Sequence, residues 1–150
     1  MSRKPPAFHS HPIDYVDSRE RGLVRAVCQH VVDGDTADFF LDLGWHQYAY
    51  FPLRLAGIDA PETRGTSGEE HQRAVRARER LQELIFHVPC LVRSYAERRS
   101  FERYIADVWF HDDGAHGSVR KGRLTVAGTR WVSAQQVLLA EGLADPFPTN

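Results

Sequence analysis

Cysteine and methionine are scarce in this chain of 150 residues, which contains two cysteines and one methionine. Cys28 and Cys90 lie far apart in the sequence, so the pattern excludes a disulfide framework and a cysteine-based zinc site. Both lie in apolar, strand-like runs, and we expect buried, reduced thiols on neighbouring strands. The eight histidines are scattered without a helical pair at ligand spacing, which also argues against zinc.

Long apolar runs are absent as well. No segment approaches the roughly 20 residues of a membrane span. The N-terminus has no signal-like apolar region. These absences predict a cytoplasmic protein with no membrane partner, and they are compatible with a bacterial or phage source.

The chain also lacks an excess of basic residues, because its formal net charge is -1. Bulk electrostatics will therefore not draw a polyanion to this protein, and any such attraction must be local. Arginine does cluster locally, and the run that ends at Arg103 is the most promising of these clusters.

The apolar pattern predicts an α+β domain that is mainly β. Strand-like alternation covers 22–32, 35–43, 48–55, 88–95 and 103–110, and helical spacing covers 67–86 and 132–141. Three strands, a helix, two strands and a closing helix is the order of a five-stranded OB barrel. Ser67 and Glu70 have the spacing of a capping box at the start of the first helix.

The remaining segments complete the predicted organisation. Residues 1–20 are polar and contain three prolines, which predicts a flexible N-terminal arm before a domain over 21–150. Residues 111–129 are rich in glycine and charge, and we expect an inserted loop or an extra hairpin there.

Two short acidic motifs lie on either side of one arginine. Residues 33–36 read Asp-Gly-Asp-Thr, and residues 54–63 read Arg-Leu-Ala-Gly-Ile-Asp-Ala-Pro-Glu-Thr. Each alone has an ordinary explanation as a turn between strands. In the predicted barrel, however, the first turn and the exit of the third strand are close, which would bring Asp35 and Asp59 together. Two adjacent carboxylates repel unless a cation or a proton lies between them, and these oxygen donors suit calcium.

The side chains around these motifs indicate phosphoryl chemistry. Such a reaction needs charge neutralisation, a positioned water and donors for the phosphate oxygens. Glu62 is a candidate base for the water. Arg54 and Arg103 are candidates for the planar two-point phosphate contact that lysine cannot make, although Arg103 could also be an ordinary exposed strand residue.

The motif pair resembles that of the staphylococcal nuclease-like (thermonuclease) family, which carries Asp-Gly-Asp-Thr and then Arg-Leu-x-x-Ile-Asp-x-Pro-Glu-Thr. Residues 100–106 resemble the family's Tyr-Gly-Arg segment, and residues 132–144 resemble its Val-Asn-x-x-Leu-x-x-Gly-Leu-Ala helix. The resemblance covers most of residues 22–145. It implies the same OB fold and a calcium-dependent nuclease.

The resemblance also implies roles for individual residues. Asp35 and Asp59 would bind calcium through their side chains, and Ala60, where the family usually has Thr, through its backbone carbonyl. Glu62 would orient or deprotonate the attacking water.

Arg54 and Arg103 would bind the phosphate. The implied reaction is hydrolysis of DNA, with RNA as a second candidate, at low sequence specificity and with a preference for unpaired strands. By the resemblance, water attacks phosphorus in line and the bond to the 5′-oxygen breaks, leaving 3′-phosphate ends. The alternative is a barrel of the same family that binds nucleic acid or a protein without cleaving anything.

Three further features depart from the family pattern. Glu102 replaces a glycine next to Arg103, which could change how that arginine is aimed. Residues 111–129 look inserted, and the sequence lacks the family's usual C-terminal helix. We therefore expect some apolar surface to be covered by the N-terminal arm, by the insertion or by a second copy in a homo-oligomer.

Aromatic residues leave one further question open. Rings on the strands could stack on bases, as in other OB barrels, or fill the core. The candidates are Phe39, Phe40, Tyr48, Tyr50 and Tyr104. Phenylalanine rings are more often buried in the core, so we expect burial for Phe39 and Phe40. We also expect Tyr104 to point inward.

Overall fold

The structure is a computed structural model that describes residues 22–100 and 103–148, with the side chains of 96–100 left aside. The predicted arm over 1–20 and the substituted Glu102 lie outside the described residues. The strands are β1 (Val24–Asp33), β2 (Thr36–Asp42), β3 (Tyr48–Leu55), β4 (Ile58–Asp59), β5 (Pro89–Ser100), β6 (Arg103–His111), β7 (Leu124–Val126), β8 (Thr129–Ser133) and β9 (Asp145–Pro146). The helices are α1 (Gly68–Ile85) and α2 (Ala134–Ala140).

Five strands close into a barrel in the order β3-β2-β1-β5-β6. All neighbours in this series are antiparallel, and the parallel pairing of β3 with β6 completes the ring, with Leu53 opposite Tyr104 and Leu55 opposite Ala106. This arrangement, with two helices, confirms the predicted mainly-β OB barrel. Closure matters for the site because it places the start of β6 beside the end of β3.

A hairpin extends the sheet beyond the barrel. Strand β7 pairs with β8, and β8 pairs with β6, where Phe110 lies opposite Val132. Arg123 holds the loop before this hairpin, because its Nη1 donates to Asp112 Oδ2 at 2.7 Å and its Nε to the carbonyl of Val119 at 2.5 Å.

Helix α1 buries the residues that its spacing predicted, namely Ala74, Ala77, Leu81, Leu84 and Ile85. The predicted capping box with Glu70 is wrong, because the Ser67 side chain makes no capping hydrogen bond. Gly68 takes a left-handed φ of 61°, which separates the cap residue from a regular first turn. Helix α2 begins two residues later than predicted because Val132 and Ser133 end strand β8; Ser133 Oγ then accepts from Gln136 N at 3.3 Å.

The barrel interior is apolar and contains both cysteines. Cys28 and Cys90 are buried and free. Burial raises the pKa of Cys28 to about 11 and also raises that of Cys90, so both thiols stay protonated at neutral pH. Within the described part of the chain, neither helix combines the length and apolarity that a membrane span requires.

Candidate functional site

Asp35 joins two loops at one end of the barrel. It lies in the turn between β1 and β2 and is 4% exposed. Its Oδ1 accepts from Thr36 Oγ1 and its Oδ2 from the backbone N–H of Ala60, both at 2.9 Å. The carboxylate therefore ties the first acidic motif to the exit of β4, as the barrel order predicted.

Arg54 lies between the two aspartates that the sequence singled out. Its Nη1 is 3.3 Å from Asp35 Oδ2, and its Nη2 donates to Asp59 Oδ1 at 3.2 Å. The Asp35 side chain is 5% exposed and that of Asp59 is 59% exposed. One guanidinium thus meets two carboxylates, and this trio carries a net charge of about -1 by simple count.

Arg103 reaches the same place from β6. Its Nη1 donates to Thr36 Oγ1 at 2.9 Å, and that hydroxyl donates in turn to Asp35. Thr36 also lies opposite Arg54 in the β2–β3 pairing. No role for Thr36 was predicted, although its place in the first motif was a signal for it. In the structure, Thr36 links the two arginines.

Glu62 lies in the loop after β4 and is exposed. Its carboxylate makes no hydrogen bond or ion pair with any other side chain in the described segments. The loop itself is fixed: Asp33 Oδ1 accepts from the N–H of Thr63 at 3.0 Å and from its hydroxyl at 2.9 Å. This pair was not predicted from the sequence, although Asp33 begins the first motif and Thr63 ends the second.

Gly34 explains why the first motif needs a residue without a side chain. A Cβ at this position would lie 2.6 Å from Ala77 Cβ and 2.9 Å from Ala60 Cβ. Helix α1 and the β4 exit therefore both press on the turn. This contact sets the distance between Asp35 and the loop that carries Glu62.

Phe147 covers Arg54 from the C-terminal segment. The Arg54 Cζ is 5.4 Å from the centroid of the ring, a cation–π distance. The N–H of Phe147 donates to the carbonyl of Gly57 at 2.9 Å, and β9 pairs with β4, so that Asp145 lies opposite Asp59. Nothing in the sequence pattern pointed to Phe147.

The donors at this site fit a hard divalent cation. Two carboxylates converge on one positive group, and oxygen ligands of this type are those that Ca²⁺ takes. The described contact of Ala60 is through its N–H, so its carbonyl as a ligand stays a prediction. No group of three His, Cys, Asp or Glu side chains suited to a metal occurs in the described segments. The backbone and water would therefore have to complete the coordination.

A family model described as staphylococcal nuclease homologue matches residues 52–147. The matched stretch includes Arg54, Asp59, Glu62 and Arg103, and it begins after the turn that holds Asp35. A search of curated proteins gave no match. Because the family model covers more than half of a chain that also folds as the closed barrel expected of it, this chain belongs to the staphylococcal nuclease homologue family.

Proposed function

We propose that this chain is a calcium-dependent phosphodiester hydrolase that cuts DNA, and RNA as a second substrate, with low sequence specificity. One observation supports this most strongly: the guanidinium of Arg54 lies between the carboxylates of Asp35 and Asp59. Two carboxylates share this guanidinium, so oxygen donors suited to a cation lie beside a group that can bind phosphate.

Asp35, Asp59 and the carbonyl of Ala60 would hold the ion. Bound there, Ca²⁺ would polarise a phosphoryl oxygen and offset the charge that grows in the transition state. Asp35 is pre-oriented for this task because Thr36 and the Ala60 amide fix its two oxygens. Asp59 is more exposed and free to adjust.

The two arginines would bind the phosphate. Arg54 Nη1 and Nη2 contact Asp35 and Asp59 in this structure. Once a cation holds those carboxylates, the two donors would be released to take two phosphoryl oxygens in a planar contact. Arg103 uses Nη1 on Thr36, which leaves its other N–H groups for the substrate. Together they would stabilise the charge on the equatorial oxygens.

Glu62 would orient or deprotonate the attacking water. Its carboxylate is exposed and has no partner among the described side chains, while the bonds between Asp33 and Thr63 hold its loop. A water held there can attack phosphorus in line with the leaving 5′-oxygen, which gives 3′-phosphate ends.

A barrel that binds nucleic acid without cleaving it is the alternative. Glu62 argues for hydrolysis, because an exposed carboxylate in the loop that follows β4 would weaken the binding of a polyanion at this end of the barrel. A binding module gains nothing from such a residue, whereas a hydrolase uses it on the water.

The test is cleavage of denatured DNA by the purified chain in calcium, in a chelator and as Glu62→Gln. We expect a fall of about 100-fold or more for the variant and loss of cutting in chelator. Glu69→Gln, an exposed glutamate in the first turn of α1, is the matched control and should cut normally. Cutting that survives the chelator or the Glu62 substitution would contradict the proposal.

A further inference from the structure

The structure shows which of the candidate aromatic rings are buried and which are exposed. Phe39 is fully buried in the core. Three others are exposed on the outer face of β2 and β3: Phe40 at 43%, Tyr48 at 55% and Tyr50 at 54%. Tyr104 is half-buried and its ring meets that of Phe51 edge to face.

The three exposed rings form one continuous surface, which we call the ring strip (Phe40, Tyr48 and Tyr50). Phe40 lies directly opposite Tyr50 in the strand pairing. Its ring is stacked on that of Tyr48, with centroids 5.3 Å apart and planes inclined by 11°. Exposed aromatic surface of this extent is costly to leave in water, so a partner with flat apolar faces would gain most from covering it.

The ring strip leads to the candidate site. Side chains alternate across a strand, so Tyr48, Tyr50 and Arg54 project from the same face of β3. At the usual rise per residue, Tyr50 is roughly 13 Å and Tyr48 roughly 20 Å from Arg54 along the strand. A chain whose phosphate is bound at Arg54 would therefore pass over the rings within a few nucleotides.

The carboxylates beside the ring strip repel a nucleic-acid strand less strongly than the sequence suggests. Two carboxylates on β2 belong to this face. Arg25 Nη2 pairs with Asp42 Oδ2 at 2.6 Å, and His30 Nδ1 is 3.4 Å from Asp38 Oδ2. Arg25 thus offsets the charge of Asp42, and it is 80% exposed and available to a phosphate.

We propose that the ring strip is a stacking subsite for the bases of a single-stranded nucleic acid whose phosphate lies at Arg54. This inference rests on the proposed function and adds the surface that would select unpaired strands. Every base has an aromatic face, so stacking tolerates any sequence, but a duplex keeps those faces inside. The substrate is therefore an unpaired strand of several nucleotides.

The test measures binding of fluorescent single strands to the full chain in a chelator, so that nothing is cut. Labelled thymidine octamers and dimers are compared for the wild-type chain and for Tyr48→Ser with Tyr50→Ser. We expect the double variant to bind the octamer at least tenfold more weakly, because stacking contributes strongly per base. Binding of the dimer should hardly change, since it occupies only the phosphate site. Tyr50→Phe should bind like wild type, because the ring and not the hydroxyl matters.

Phe86→Ala is the matched control, because Phe86 is also an exposed ring (36%) and is stacked on His87 with centroids 4.0 Å apart. It should bind the octamer normally. Equal octamer binding by wild type and the double variant would overturn the inference but leave the proposed function intact. A wild-type chain that binds neither strand would also overturn the inference, whereas the proposed function is tested separately by cleavage in calcium. Light scattering supplies a further outcome. If the wild-type protein forms a dimer of two chains and the double variant is a monomer, the ring strip binds a second copy of the protein, and the inference is overturned as well.

Discussion

Arg54 and Arg123 are both largely buried arginines held by carboxylates, with side-chain exposures of 16% and 23%. Arg123 has one carboxylate partner, Asp112, and its other donors meet the carbonyls of Val119 and His116. Its charge is balanced and its donors are satisfied within the protein. Arg54 has two carboxylate partners, and one of them is exposed. The number of charges around an arginine, more than its burial, separates the structural position of Arg123 from the position that we propose for a cation and a phosphate.

The largest effect expected from this comparison is on turnover. Arg54→Lys should lower kcat/KM by at least about 100-fold with little change in Tm, because an ammonium cannot make the two-point phosphate contact. Arg123→Lys is the matched control and should stay within about threefold of wild type per folded molecule. A variant at Arg54 that cuts at the normal rate would remove this residue from the site.

Substitution of Arg123 should lower Tm more than substitution of Arg54 does, which is the reverse of their order in kcat/KM. Arg123→Gln leaves Asp112 without its charged partner and frees two carbonyls, so we expect Tm to fall by about 5 °C. The activity of this variant, measured well below its unfolding temperature, should be unchanged. Thermal unfolding followed by circular dichroism gives the first value, and a loss of activity without a change in Tm would reverse the roles assigned to the two arginines.

Phe147 offers a smaller test of how Arg54 is held. Phe147→Leu removes the ring over the guanidinium but keeps the backbone bond to Gly57, so kcat/KM should fall about threefold at unchanged Tm. Phe147→Tyr should restore the wild-type value because it restores the ring. If the leucine and tyrosine variants behave alike, the ring does not position Arg54.

The smallest effect concerns the pH dependence of the Arg123 region. The N–H of Gly114, and then Arg123, lower the pKa of Asp112 below its usual 3.8. A carboxyl with a lowered pKa in the folded state stabilises the protein above its usual pKa, and this contribution disappears as the pH falls. Asp112→Asn should therefore have a lower Tm than wild type at about pH 6, and the difference should shrink as the pH falls below 3.8. A difference that is constant over this range would contradict the assignment.

The sequence predicted the barrel well, because strand alternation and element order depend on local patterns. It also predicted that Asp35 and Asp59 would converge, since two turns at one end of such a barrel must be neighbours. It did not predict that Arg54 would lie between them, because a strand pattern gives the face of a side chain and not its partners.

The side-chain contacts that form when the barrel closes could not be predicted from the sequence either. Thr36 contacts Arg103 only because β3 pairs with β6, and Phe147 covers Arg54 only because β9 pairs with β4. The capping box failed for a local reason, since Gly68 adopts a left-handed conformation after Ser67. Contacts between residues distant in sequence need the closed fold before they can be recognised.

Calorimetric titration of the purified chain with calcium, in the absence of substrate, tests the central claim most directly. Wild type should bind one ion, and Asp59→Asn should lose that binding while keeping its Tm in chelator, because this side chain is 59% exposed. Asp113→Asn, an exposed aspartate in the loop after β6, should bind as wild type does. Calcium binding that is absent in wild type, or equal in the Asp59 variant, would contradict the account.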